Sequence, residues 1–233
     1  MENNTMKIIF KVTAMACFIT IASNAVAGPS ANVSIKGTVK MGACTPTLSS
    51  DVLDWGDVDM DSLNISSSTY LGEKKLDLNI SCSSPTVLGV TYTDNRSSSL
   101  VGLAIPMSLV SFQSNNKPNE FGLGFTKEGK KIGAYAGVLD ETKVIVDGNS
   151  SDVIYSQNYQ DAAPVWTAVS GTTTMQSEIR AHSISSSGTN TPSPFTNAKF
   201  TYDLGVSVDS KSNLASNEII TLDGNVTFGL YYL

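Results

Sequence analysis

The chain has 233 residues, a formal net charge of −6, one histidine and three cysteines. An acidic chain without a basic stripe cannot neutralise a phosphate backbone, so nucleic acid is excluded as a partner. One histidine cannot build a multi-histidine metal centre, and no metal or cofactor is expected.

Residues 1–27 read as a secretory leader. Lys7 and Lys11 supply the positive end, residues 12–22 a short apolar stretch, and Ala25-Val26-Ala27 a cleavage site before Gly28. That stretch is too short to span a bilayer as a helix. Cys17 lies inside it, and Ala14-Met15-Ala16 makes a poor lipidation box. The rest, residues 28–233, suits one exported domain. It keeps two cysteines, Cys44 and Cys82, and an even count in an exported chain reads as one disulfide. Closing that loop should contribute roughly 4 kcal/mol in the chain-entropy treatment.

Alternation then dominates. Val33, Ile35, Gly37 and Val39 alternate with polar residues, which predicts a first strand. Residues 52–58 predict a short strand bending at Gly56. Leu76, Leu78, Ile80 and Cys82 mark the clearest central strand, expected to break at Pro85, and residues 87–93 give the next. Residues 121–126 and 131–138 predict a hairpin turning at Gly129. Residues 143–146 end at Asp147-Gly148. Residues 151–174 are ambiguous, with Tyr155, Tyr159 and Trp166 among polar neighbours, and 185–194 is a loop. Residues 200–208 alternate again. In the last stretch Val226, Phe228, Leu230 and Tyr232 alternate with Thr227, Gly229 and Tyr231, and Leu233 follows. Many short strands in one disulfide-linked domain predict an all-β, immunoglobulin-like sandwich, of Greek-key type.

Catalytic chemistry is hard to find. His182 is not accompanied by a Gly-x-Ser-x-Gly elbow and reads as a surface or half-buried side chain. Asp57-x-Asp59-x-Asp61 starts like a calcium loop, but Ser62 and Ser68 stand where glycine and glutamate are needed, so it reads as a solvated loop. Gly122-Leu123-Gly124 lacks the third glycine of a phosphate cradle. Tyr155, Tyr159 and Trp166 are the candidates for stacking on sugars. No enzymatic activity is expected.

Residues 33–44, Val-Ser-Ile-Lys-Gly-Thr-Val-Lys-Met-Gly-Ala-Cys, resemble the first strand of pilin subunits assembled by the chaperone–usher route. Asp54-Trp55-Gly56, Cys82 on its alternating strand and the penultimate Tyr232 fit the same pattern. Residues 121–135 look more like a sparsely characterised branch of enterobacterial fimbrial-like proteins. The resemblance implies a sandwich lacking one strand, whose groove is filled first by a periplasmic chaperone and then by a neighbouring fimbrial subunit delivered through an outer-membrane usher. It implies a subunit that contributes to cell adhesion and is exported through the periplasm to the cell surface. It places Val33, Ile35, Gly37, Val39, Val226, Phe228, Leu230, Tyr232 and Leu233 at subunit and chaperone contacts, with the chaperone gripping the terminal carboxylate. Two departures stand out. Residues 28–32 are short for a donor extension and include Pro29, and extra length falls around 97–119 and 150–194. The alternative reading is a self-complete binding module or tip adhesin for a host glycan.

Overall fold

The computed structural model describes residues 31, 33–38, 42–112, 116–214 and 219–233. The chain divides into two units, Met1–Val39 and Lys40–Leu233. In the first, residues 33–38 form no regular element, so the strand expected there is absent from its described part, and Val39 lies outside the described residues. Val33 and Ile35 are 86% and 94% exposed.

The second unit is almost entirely β. Its strands are β1 Cys44–Leu48, β2 Thr69–Thr86, β3 Leu88–Asp94, β4 Ile105–Pro106, β5 Ser111–Phe112, β6 Glu120–Gly122, β7 Gly133–Asp140 and β8 Ile145–Val146. They continue with β9 Asn149–Ser150, β10 Asp152–Ser156, β11 Thr167–Ala168, β12 Thr172–Thr174, β13 Ala181–Ser185, β14 Phe195–Val208 and β15 Val226–Tyr232. Among the described residues the single α-helical turn is α1, Lys211–Leu214. One sheet runs β1-β2-β14-β7-β12, with β6 beside β7 and the β8–β9 hairpin beside β14; the other runs β11-β10-β13-β3-β15, and β4–β5 form a separate ribbon. The pairs along both paths are antiparallel.

The two sheets close on one core, as alternation requires of half-buried strands. Leu76, Leu78, Ile80 and Cys82 of β2 are buried, as are Leu88, Val90 and Tyr92 of β3 and Phe200, Tyr202 and Leu204 of β14, joined by Val153 and Ile184. Each such side chain contributes roughly 1.5–3 kcal/mol by leaving water. Cys44 and Cys82 face each other across β1 and β2 and form the expected disulfide. The expected hairpin is present, turning through Gly129 at φ 79°. The Asp147-Gly148 stop is a two-residue turn with both φ positive, 47° and 85°, joining β8 to β9, the geometry that Asp-Gly favours.

Three local expectations are corrected. Pro85 does not end β2, which runs on to Thr86. The β14 partner jumps from Ser81 to Thr86 across a bulge, so no ladder bond is demanded of the proline. Residues 52–58 are not a strand: the Gly56 N–H donates to Asp54 Oδ1 at 2.8 Å and Gly56 takes φ 71°, a side-chain turn that replaces strand pairing. His182 is neither exposed nor half-exposed but fully buried. It shares hydrogen bonds with the Tyr92 hydroxyl at Nδ1 and the Thr173 hydroxyl at Nε2, and Tyr92 bonds Tyr202 at 2.8 Å. This chain of polar groups crosses from β13 and β3 to β14 and β12, tying the sheets together inside the core. Burial, with the nearby Arg180 charge, drives the His182 pKa down to about 3, so it is held neutral. Burial also pushes the Glu120 carboxyl up to about 7, against the Leu103 N–H that it accepts at 3.1 Å.

Candidate functional site: an open groove beside the last strand

β15 is an edge strand, paired only to β3 among the described residues. The Asn95 N–H donates to Asn225 O at 3.0 Å and the Leu233 N–H to Val87 O at 3.1 Å. In an antiparallel ladder these bonded pairs recur at every second residue. The odd-numbered residues from Asn225 to Leu233 therefore spend their backbone groups on β3. Val226, Phe228, Leu230 and Tyr232 turn theirs to the open side.

The same four residues have the opposite side-chain parity from Thr227, Gly229 and Tyr231, so theirs point between the sheets. Val226, Phe228 and Leu230 are only half-buried there, although they pack against the main core. The Phe228 ring meets Tyr92 and Tyr202 edge to face, at 5.6 and 5.3 Å. Beside them opens a groove of about 320 Å3, lined by Leu48, Leu53, Leu76, Leu204, Val206 and Val226 among others. Phe228, Leu48 and Asp51 also border an adjoining hollow of about 460 Å3 that reaches Pro46 and Leu78. Its far lip is β1, the outermost strand of the other sheet. At one end the lips touch, where the Cys44 N–H donates to the Tyr232 hydroxyl at 3.1 Å.

The site is thus a slot between the edge strands of two sheets, with apolar walls and backbone donors and acceptors along one lip. Such a slot has the chemistry to take an extended strand, with ladder bonds giving affinity and alternate side chains filling the walls. Tyr232 and Leu233 are each 45% exposed at its end. Of the residues expected at contacts, Val226 and Phe228 line this slot, Leu230 packs against the core beside them, and Tyr232 closes one end. Val33, Ile35 and Gly37 belong to the first unit, where they are exposed.

The acidic loop and Tyr155 have ordinary structural roles. Asp59 caps a turn by accepting from the Asp61 N–H at 2.9 Å, and Asp61 pairs with Lys211. No cluster of three metal-binding side chains occurs among the described residues. Tyr155 lies under the Arg180 guanidinium at 4.6 Å. Sequence reading did not assign Leu48, Leu53 or Leu222 to the site; Leu48 lies on β1, and Leu53 and Leu222 lie on segments without regular structure that tertiary packing brings to the groove.

The arrangement defines a disulfide-linked β-sandwich with one unpaired, apolar-lined edge. Residues 33–136 match the model of a family described as a protein of unknown function, DUF1120. Two proteins of Escherichia coli strain K12 are similar along nearly their whole lengths. Protein GltF is 29% identical over 255 residues, covering 100% of this chain and 98% of its own. The uncharacterized protein YhcF is 27% identical over 227 residues, covering 91% and 94%. No solved structure matches the chain.

Proposed function

We propose that this chain is a structural subunit of a fimbria-type polymer, one that accepts an extended strand from another chain along β15. The observation that carries the reading is the coincidence of two parities: Val226, Phe228, Leu230 and Tyr232 turn their backbone groups to the open side of β15, and the Val226 and Phe228 side chains line the slot beside it. An edge of this kind left bare is an aggregation hazard, which argues for a dedicated occupant. The exposed Val33-x-Ile35-x-Gly37 segment, with alternating apolar residues, has the pattern of such an occupant for a neighbouring subunit. A periplasmic chaperone would hold the slot before assembly and an outer-membrane usher would supervise the exchange, leaving the subunit on the cell surface. The role is one of assembly and adhesion rather than catalysis.

The test uses the full chain and a synthetic peptide of residues 31–39. Peptide binding should slow hydrogen exchange at the amides of residues 226, 228, 230 and 232. It should also raise stability by about 2.7 kcal/mol at a hundredfold excess over Kd. A peptide carrying Ile35→Asp should do neither, since a carboxylate would be buried unpaired. Unchanged exchange at those four amides with every peptide and candidate chaperone would remove the reading.

A further inference from the structure

Tyr231 runs out of step with Phe228 and Leu230, so it stands on the outer face of the second sheet, away from the groove. There it meets Tyr159 edge to face, with ring centroids 5.1 Å apart. Trp166 lies over Gly89 of β3, its Cη2 only 3.4 Å from where a Cβ would sit, so the missing side chain makes room for the indole. These rings come from a strand and from the connection between β10 and β11, far apart in sequence. With Pro164 and Pro192 they wall a cleft of about 390 Å3, whose one charged side chain is Asp161.

We infer that this cleft binds a neutral sugar of one or two rings. An anion would face Asp161 on a chain of net charge −6, with no cationic side chain lining the cleft to receive it. A wholly apolar guest would desolvate the carboxylate without replacing its hydrogen bonds. A compact cation is best held by several ring faces around one point. Here Tyr159 and Trp166 are only 6% and 9% exposed, and the Tyr159–Tyr231 planes stand at 79°, so Tyr231, at 36%, supplies the open ring. A pyranose has what this cleft asks for: a C–H face to lie on one aromatic ring and adjacent hydroxyls to donate to a carboxylate. The volume, near the lower end of small-ligand sites, limits the guest to one or two rings. Asp161 is already oriented, since it accepts from Asn158 Nδ2 at 3.0 Å. The cleft also takes in Tyr232 and Leu233 at the end of the slot, but its rings and carboxylate are set by Tyr159, Trp166, Tyr231 and Asp161, and the inference does not depend on strand exchange.

The full chain is applied to an array of neutral, sulfated and sialylated glycans. The strongest neutral ligand is then titrated by calorimetry, with choline chloride and spermidine titrated in parallel. A neutral glycan should bind. Tyr231→Ala should weaken it by roughly tenfold, the loss of one aromatic contact. Tyr231→Phe should bind within about twofold of the parent, because stacking needs the ring rather than the hydroxyl. Asp161→Asn should weaken binding severalfold while leaving the thermal midpoint unchanged, which separates a binding loss from a folding loss. The inference is overturned if no neutral glycan is retained, if only choline or spermidine binds, or if Tyr231→Ala binds like the parent chain.

Discussion

β14 and β15 look alike in sequence, each alternating apolar and polar residues with aromatics on the apolar face, yet they end in opposite situations. β14 lies between β2 and β7, and Phe200 and Tyr202 are fully buried. β15 has one partner, and Phe228 is covered on one side by Tyr92 and Tyr202 and open to the groove on the other. Period-two alternation reports which face of a strand is apolar, and it says nothing about how many neighbours the backbone has. An apolar face on an unpaired edge is where a second chain can add a strand.

The sharpest way to break this comparison is to truncate the two rings. Phe200→Ala should cost about 3–5 kcal/mol in urea unfolding, since a cavity is left in a packed core. Phe228→Ala should cost about half as much, because part of its surface already meets solvent. Equal losses would mean that the groove is closed in solution. Cys44→Ser removes the bond that holds β1, the opposite lip, to β2, and should cost about 2–5 kcal/mol. Thiol alkylation of the non-reduced native chain should label neither Cys44 nor Cys82.

A smaller effect comes from pH. His182 is neutral in the fold down to about pH 3 but protonates near 6.5 when unfolded, so the unfolded chain binds the extra proton between those values. Its contribution is therefore lost as pH falls, with a slope of up to about 1.4 kcal/mol per unit. Glu120 runs the other way: its folded pKa of about 7 against 4.5 makes its contribution fall as pH rises through that interval. Between pH 4.5 and 6.5 the two oppose each other. His182→Gln should unmask the Glu120 slope, so that this variant loses stability from pH 4.5 to 7, measured as thermal midpoints across that range. A profile parallel to wild type would place the compensation elsewhere. The smallest change is expected at Val52, which lines the groove and is 72% exposed. Val52→Ser should alter stability by no more than about 0.5 kcal/mol, while reducing uptake of the residue 31–39 peptide in the same titration.

The amino-acid sequence by itself determined the all-β class, the Cys44–Cys82 pairing, the buried faces of β2, β3, β14 and β15, and the turns at Gly129 and Asp147-Gly148. Those features rest on local chemistry: side-chain period, cysteine count, and residues that tolerate positive φ. It did not reveal that β2 passes through Pro85, because the irregularity that frees the proline, four residues of β2 opposite one of β14, shows only in the pairing of the two strands. Nor did it place His182 in the core, although Ala181-His182-Ser183-Ile184 alternates and puts the histidine on the face of Ile184. Burying a polar ring depends on Tyr92 and Thr173 arriving from other strands to satisfy it. The groove and the Tyr231 cleft were likewise decided only by tertiary structure. Each is a gap between segments distant in sequence, and a gap has no period to read.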